Sequence, residues 1–484
     1  MKRALFLPLI SKLSKVYFSN ILNKEIEYKK IFFYTLKDLG GVYIKFLQII
    51  CLAKDFMSDW AGPLEYDVFN KVPTEDMNIL DYVKNKDSFS SIDEIPFACG
   101  SFAQLYKAQL TTGEVVAIKV LRPSIRKNLY SDLNKLSRMV KIFSKFLPNT
   151  IFDYKGAFEE FCRNCLLEVN YEREIANMKY FAKLYNNHSY IEIPRVYDKF
   201  SSIDIIVQEY IEGPTLADVL YDMKVGDTPF SLAYKLTESN LWKQIMIAGG
   251  EALVSAMTSD YVYGDPHPGN IILLKNDKIA FVDFGIIASK PLSQEAFYLW
   301  IKSYYDFLKG EKDFDRLLKT TCMCLCPELT NALNKCKFNG DFIKAVSYAL
   351  DLKEEDLFNN DKESTLKYTE GEQFVVLFNK LINSRDAFDI KIDIRNFQLL
   401  KSMLVFLGSV VSINTEEGYT KFSQLMEGTM EYALSYCDKV GIKKDFKQIS
   451  KYSVNESYEL ITNILSTVAN SDEFLFDRIC EKIF

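Results

Sequence analysis

The chain has no uninterrupted run of about 18–20 apolar residues, the length a helix needs to span a bilayer. The nearest stretches, 43–53 and 402–413, are too short or carry Lys45. A soluble protein is expected, with membrane contact limited to an amphipathic helix lying on the surface. Turn-forming residues are sparse, 20 Gly and 13 Pro against 36 Phe and 29 Tyr, which excludes a disordered chain. No charge of one sign dominates: 59 Lys and Arg stand against 65 Asp and Glu, a net −6 with a pI near 5.4. That balance argues against a nucleic-acid binder driven by bulk positive charge. The 10 cysteines are spread along the chain without the density of a disulfide scaffold and read as reduced thiols of a cytosolic protein. Cys162 with Cys165, and Cys322, Cys324 and Cys326, lack the second ligand pair or nearby histidine of a zinc site and are expected to pack as helix thiols. A secretory leader is not expected either: residues 1–13 combine Lys2 and Arg3 with a short apolar run and read as an ordinary or interfacial helix.

At about 100–200 residues per domain, 484 residues give two to four domains. Helical spacing of Leu36, Leu39, Val42, Tyr43, Phe46, Leu47 and Ile50 dominates the N-terminal part. Residues 86–96 have the composition of a linker or turn. Strands are expected at 103–110 and 114–121, joined by Thr111-Thr112-Gly113, with Pro123 ending the second. From 124 to 184 the pattern is helical, broken near Pro148, and 202–210 reads as a further strand. Residues 231–259 are expected to be helix, 271–274 and 279–282 a short hairpin around Asn276-Asp277, and everything beyond about 293 helix after helix.

The most specific signal is Tyr263-Gly-Asp-Pro-His-Pro-Gly-Asn270 followed by Phe281-Val-Asp-Phe-Gly285. Asp265 and Asn270 stand five apart, the spacing of a kinase catalytic loop, where the aspartate orients or deprotonates the attacking oxygen and the asparagine coordinates magnesium. Asp283 follows a short hairpin, where its carboxylate can hold the metal that bridges the phosphates. Two carboxylates and an amide are hard oxygen donors of the type magnesium takes. His267 is expected to brace this loop rather than transfer protons, and His188 has no assigned role. Upstream, Val116-Ala-Ile-Lys119 ends a strand where a kinase lysine pairs with the α- and β-phosphates, Val116 and Ile118 pointing opposite to Ala117 and Lys119. Its partner should be a glutamate of a following helix. Glu168, Glu172 and Glu174 are the candidates, with Glu168 and Glu172 expected on one helix face at i,i+4. Gln208-Glu209-Tyr210-Ile211-Glu-Gly213 is placed like a hinge whose backbone would hydrogen-bond an adenine.

These motifs resemble the UbiB/AarF/ADCK family of atypical protein-kinase-like proteins, from about Leu39 to at least Leu425. Gly40-Gly-Val-Tyr-Ile-Lys-Phe-Leu-Gln48 resembles the family's K-x-G-Q motif, with Lys45 and Gln48 kept and Leu47 in place of Gly. Ala98-Cys99-Gly100-Ser101-Phe-Ala-Gln104 resembles its Ala-rich nucleotide loop, and Glu168-Val-Asn170 its E-x-D motif with Asn in place of Asp. The helical insert between Lys119 and Glu174 and the segment 397–418 are similar to the family as well. The resemblance implies that Glu174 pairs with Lys119, that residues 98–101, Lys119, Glu209 and Tyr210 hold the nucleotide, that Asn270 and Asp283 hold Mg2+, that Asp265 is the base, and that Lys45, Gln48 and Glu168 are regulatory. Gly100, with backbone freedom that alanine lacks, is expected to bring phosphate contact closer to that of an ordinary kinase.

After Gly285 no long activation segment ending in A-P-E follows; Ser293-Gln-Glu-Ala-Phe already begins a helix. No platform for a protein substrate is expected, and the resemblance favours a small molecule, a lipid or water as acceptor. The fold expected is α+β, bilobal and protein-kinase-like. Its parts are a helical N-terminal extension (1–90), an N-lobe with a helical insert (91–212), a C-lobe core (213–300) and a large helical C-terminal region (301–484). The function expected is an ATP-dependent kinase or ATPase using ATP and Mg2+, linked through the family to isoprenoid-quinone (ubiquinone) biosynthesis or membrane lipid. It would be cytoplasmic or peripheral at the inner face of a membrane. Two alternatives stay open: a small-molecule phosphotransferase of the aminoglycoside or choline kinase type, and a nucleotide-gated lipid-binding scaffold.

Overall fold

The computed structural model describes residues 34, 36–52, 72, 74–144, 154–225, 238–291, 293–311, 313–325 and 418–439. The terminal segment 1–13, the break near Pro148, Cys326 and residues 397–417 lie outside them. The chain divides into two compact units, one drawn from 1–186, 193–211 and 452–484, the other from 187–192 and 212–451.

In the first unit, helix α1 (Val42–Leu52) precedes strands β1 (Phe89–Ile92), β2 (Ala98–Cys99), β3 (Ala103–Leu110) and β4 (Val115–Leu121). Helices α2 (Pro123–Ser144), α3 (Tyr154–Glu168) and α4 (Tyr171–Leu184) follow. After β5 (Ile191–Glu192), which belongs to the second unit, β6 (Ile205–Glu209) completes a five-stranded sheet. Every pairing in it is antiparallel. Since β4 occupies one edge of β3 along its length, β1 and β2 share the other, one at each end. The alternation expected for β4 is realised: Val116, Ile118 and Val120 are fully buried in a cluster with Tyr106, Leu110, Ile205 and Val207, which leaves Lys119 on the opposite face.

Residues 86–96 are not a linker. Phe89–Ile92 form an edge strand that shows in sequence only two apolar residues, because Ser90 and Ser91 between them face water. Side chains of helix α1 fasten it to the unit. Tyr43 donates to Asp132 of α2 at 3.4 Å, and burial together with that carboxylate pushes the phenol's pKa up. Phe46 meets Phe158 and Phe161 of α3 edge-on, and Lys45 pairs with Glu168. Leu47, where the motif elsewhere has glycine, is buried in this packing.

The second unit holds α5 (Leu216–Val225), α6 (Glu238–Thr258), β7 (Tyr261–Tyr263), β8 (Ile271–Leu273), β9 (Ile279–Phe281), β10 (Ile287–Ser289), α7 (Gln294–Leu308), α8 (Phe314–Leu325) and α9 (Gly418–Lys439). Strands β7 and β10 pair antiparallel, while β9 lies between β8, antiparallel, and β5, parallel. The β8–β9 turn has Asn276 and Asp277 both at positive φ (59° and 60°), the I′ geometry that twists with its strands. Hydrogen bonds from Lys243 first and Asn240 second, both on α6, hold the Asp277 carboxyl below its ordinary pKa. Helices α6 and α9 cross closely at Gly250, where a Cβ would lie 2.5 Å from Tyr432 Cδ1.

Beside that crossing, Glu251 is 1% exposed, accepts a hydrogen bond from the Tyr432 hydroxyl and has His188 Nε2 3.2 Å from its Oε1. Nδ1 of the same imidazole accepts the Tyr190 and Ile191 N–H groups at 3.2 and 3.1 Å. His188, which the sequence leaves without a role, therefore ties the β5 entry to α6. Glu251→Ala removes the acceptor of two inward-facing donors and is expected to lower stability by about 2–4 kcal/mol, read from urea unfolding, with Glu251→Gln costing less.

Candidate functional site

Ala98 and Cys99 of β2 pair with Leu105 and Gln104 of β3, and Gly100 N–H donates to Ala103 O at 2.9 Å, so residues 98–103 form a tight loop on the end of the sheet. Ala98 and Gly100 are exposed, Cys99 is half-buried and Ser101 is buried. Burial pushes the Cys99 thiol pKa up, and nearby Arg122 opposes that shift only in part. Gly100 does not use the backbone freedom that sets glycine apart from alanine. It does not adopt a left-handed φ, and a Cβ would meet only Ala103 O at 3.8 Å, so the loop has a conformation open to alanine. Gly100→Ala is expected to leave stability within about 0.5 kcal/mol of wild type, as measured by thermal unfolding.

Lys119 Nζ lies 2.6 Å from Glu174 Oε1; the two side chains are 12% and 1% exposed. The Lys119 ammonium also stands 5.7 Å from the Tyr171 ring centroid. The expected shared face of Glu168 and Glu172 does not exist. The helix ends at Glu168, and Asn170 opens the next one as N-cap, its side chain accepting Arg173 N–H at 3.0 Å. Asparagine caps a helix as well as aspartate does. Glu174 falls in the first turn of α4 and turns inward, while Glu168 at the end of α3 pairs with Lys45. Gln48 lies on α1, and its side chain is outside the described residues.

At the end of β6, Glu209 N–H donates to Arg195 O at 2.8 Å and Tyr210 N–H to Val115 O at 3.1 Å. A base edge would have to take its N–H from beyond Tyr210. The Tyr210 ring meets Phe97 edge-on at 5.5 Å and carries Lys107 Nζ 4.3 Å from its centroid.

In the second unit, the loop after β7 begins at Gly264, where a Cβ would lie 2.9 Å from Ala288 N and Ile286 O; glycine is needed for the backbone to pass β10 so closely. Asp265 follows. Asn270 Nδ2 donates to Asp265 Oδ2 at 3.1 Å and to its carbonyl at 3.3 Å, which turns the amide Oδ1 away from Asp265. His267 braces the loop: its Nδ1 accepts Gly269 N–H at 3.1 Å and its carbonyl accepts Asn270 N–H at 2.8 Å. Val282 N–H donates to Asn270 O at 3.1 Å, joining this loop to the one that carries Asp283. Asp283 Oδ1 accepts Gly285 N–H at 2.9 Å, and buried Phe284 packs on Tyr263 at 5.4 Å. The Asn270 amide oxygen and the Asp283 carboxylate are hard donors of the type a divalent cation such as magnesium prefers. Among the described residues no group of three or more His, Cys, Asp and Glu side chains could hold a metal.

Residues 68–314, just over half the chain, match the ABC1 atypical kinase-like domain. AarF domain-containing kinase 1 of Drosophila melanogaster is 28% identical over 266 residues, 51% of this chain and 48% of that protein. The chloroplastic protein ACTIVITY OF BC1 COMPLEX KINASE 3 of Arabidopsis thaliana is 30% identical over 204 residues, 42% of this chain and 27% of its own. AarF domain-containing protein kinase 1 of Gallus gallus is 24% identical over 240 residues, 48% of this chain and 44% of that one. The matches span less than half the length of each of these relatives.

Proposed function

We propose that this chain, which belongs to the ABC1 family of atypical kinase-like proteins, binds Mg-ATP and acts as a phosphotransferase or ATPase whose acceptor is a lipid or isoprenoid small molecule, or water. The observation that carries this reading is the Lys119–Glu174 pair, a buried carboxylate 55 residues away holding a lysine that stands across from Leu105, whose other neighbour is Ala98 of the 98–103 loop. A phosphate-binding lysine needs such a fixed partner, because positioning and charge neutralisation supply most of the catalysis in phosphoryl transfer.

On this reading residues 91–212 hold the nucleotide and 213–300 carry the chemistry. Lys119 neutralises the α- and β-phosphates, held by Glu174. Asp265, its carboxylate oriented by the Asn270 amide, takes the proton of the attacking hydroxyl or water. Asn270 Oδ1 and the Asp283 carboxylate would hold Mg2+, which when bound supplies charge neutralisation on the phosphates. The acceptor class follows from what comes after Asp283. Helix α7 starts at Gln294, capped by the Ser293 hydroxyl at 3.1 Å from Ala296 N, so the chain between has no length for a peptide platform. A lipid acceptor, with a role near isoprenoid-quinone synthesis, suits a protein in which no described helix is long and apolar enough to cross a membrane and which would work from the membrane surface.

The test is phosphate release and transfer by the full chain with Mg-ATP, with and without vesicles of anionic phospholipid carrying a long-chain prenol. Magnesium-dependent turnover that rises with the vesicles is expected; absence of turnover in both conditions overturns the reading.

A further inference from the structure

The segment before β1 makes contacts that the motifs give it no part in. The Glu75 carboxylate accepts two hydrogen bonds from Ser124, the backbone N–H at 2.9 Å and the hydroxyl at 2.6 Å. Ser124 is the second residue of α2, whose first-turn N–H groups have no acceptor within the helix and whose positive end attracts a carboxylate. The first turn of α2 has no acidic residue of its own, so this cap comes from 49 residues away. The backbone N–H of Glu75 in turn donates to Gln104 Oε1. Gln104 is 0% exposed, its Nε2 donates to the Tyr106 hydroxyl at 2.7 Å, and it stands opposite Cys99 in the β2–β3 pairing. One residue therefore joins the base of the 98–102 loop to the start of α2. On the loop's other side Arg122 N–H donates to Phe102 O at 2.9 Å. Burial lowers the pKa of the Arg122 guanidinium, and Cys99 and Glu75 oppose that shift.

We infer that Glu75 and Gln104 are positioning residues that hold the 98–102 loop in the conformation a nucleotide binds, an inference that rests on the phosphate-binding reading of that loop. The physical reason is preorganisation. Apart from its N–H bond to Ala103 O, little packs around exposed Gly100, and donors on a loosely held backbone must be ordered by the ligand at the expense of affinity. The Glu75–Gln104 bolt moves that ordering into folding.

The experiment measures KM for Mg-ATP, kcat and melting temperature for the full-length wild type, Glu75→Ala, Glu75→Gln, Gln104→Leu and the Glu75→Ala/Gln104→Leu double variant. Glu75→Ala removes the acceptor of both Ser124 hydrogen bonds and is expected to raise KM about tenfold, with kcat at saturating nucleotide little changed, the split that marks lost binding rather than lost chemistry. Glu75→Gln keeps an acceptor for Ser124 and is expected to rescue KM. The double variant should be no worse than the poorer single one, since both break the same chain of contacts. A wild-type KM in Glu75→Ala, or a KM loss that Glu75→Gln does not rescue, or effects of the two sites that add, overturns the inference. A wild type that binds no Mg-ATP overturns it together with the proposed function, whereas binding by wild type and Glu75→Ala alike overturns the inference alone.

Discussion

Lys119→Met is expected to abolish Mg-ATP binding and also to destabilise the protein in the absence of nucleotide. Glu174 is 1% exposed, so removing its partner leaves a carboxylate buried without its counter-charge. The loss should be about 3 kcal/mol, at the low end for a broken buried pair because Lys119 keeps 12% exposure and water can reach the gap. A second substitution separates the two effects. Lys119→Met/Glu174→Gln takes away the orphaned charge and should recover most of the stability in urea unfolding, while nucleotide binding stays absent. If the double variant regained binding, the lysine would not be a phosphate ligand.

Asp265→Asn should have the largest kinetic effect. Replacing a general base leaves substrate binding intact and removes the proton acceptor, a loss of about 10²–10⁴ in kcat. The substitution is conservative in structure: an asparagine oxygen still accepts Asn270 Nδ2, presently 3.1 Å from Asp265 Oδ2, and the close passage of Gly264 along β10 is untouched. The nucleotide dissociation constant and the melting temperature should therefore match wild type. Phosphate release unchanged in this variant would mean that the turnover does not come from this loop.

The strands that could be read from the sequence were those with a run of apolar or alternating residues beside a clear turn. In β4, Val116 and Ile118 alternate with Ala117 and Lys119, so the pattern itself put Lys119 across from the core. Phe89–Ile92 was not legible, because an edge strand with two serines toward water has too few apolar positions to show a period. The glutamates were ambiguous for a similar reason. Spacing within 168–174 assumes one helix, and only the cap geometry of Asn170 shows that two helices meet there and that Glu168 and Glu174 face different partners. The loops of Asp265 and Asp283 were legible because their residues are neighbours in sequence and their hydrogen bonds are local. Glu75 and His188 were not: Glu75 acts on Gln104 and Ser124, 29 and 49 residues away, and His188 reaches Glu251, 63 residues away. No local pattern encodes such contacts.

The central claim is that the Lys119–Glu174 pair belongs to a nucleotide site, and calorimetric titration of Mg-ATP into the full chain tests it most directly, wild type beside Lys119→Met/Glu174→Gln. The account predicts saturable, magnesium-dependent binding to the wild type and none to the folded double variant; equal binding to both proteins would contradict it.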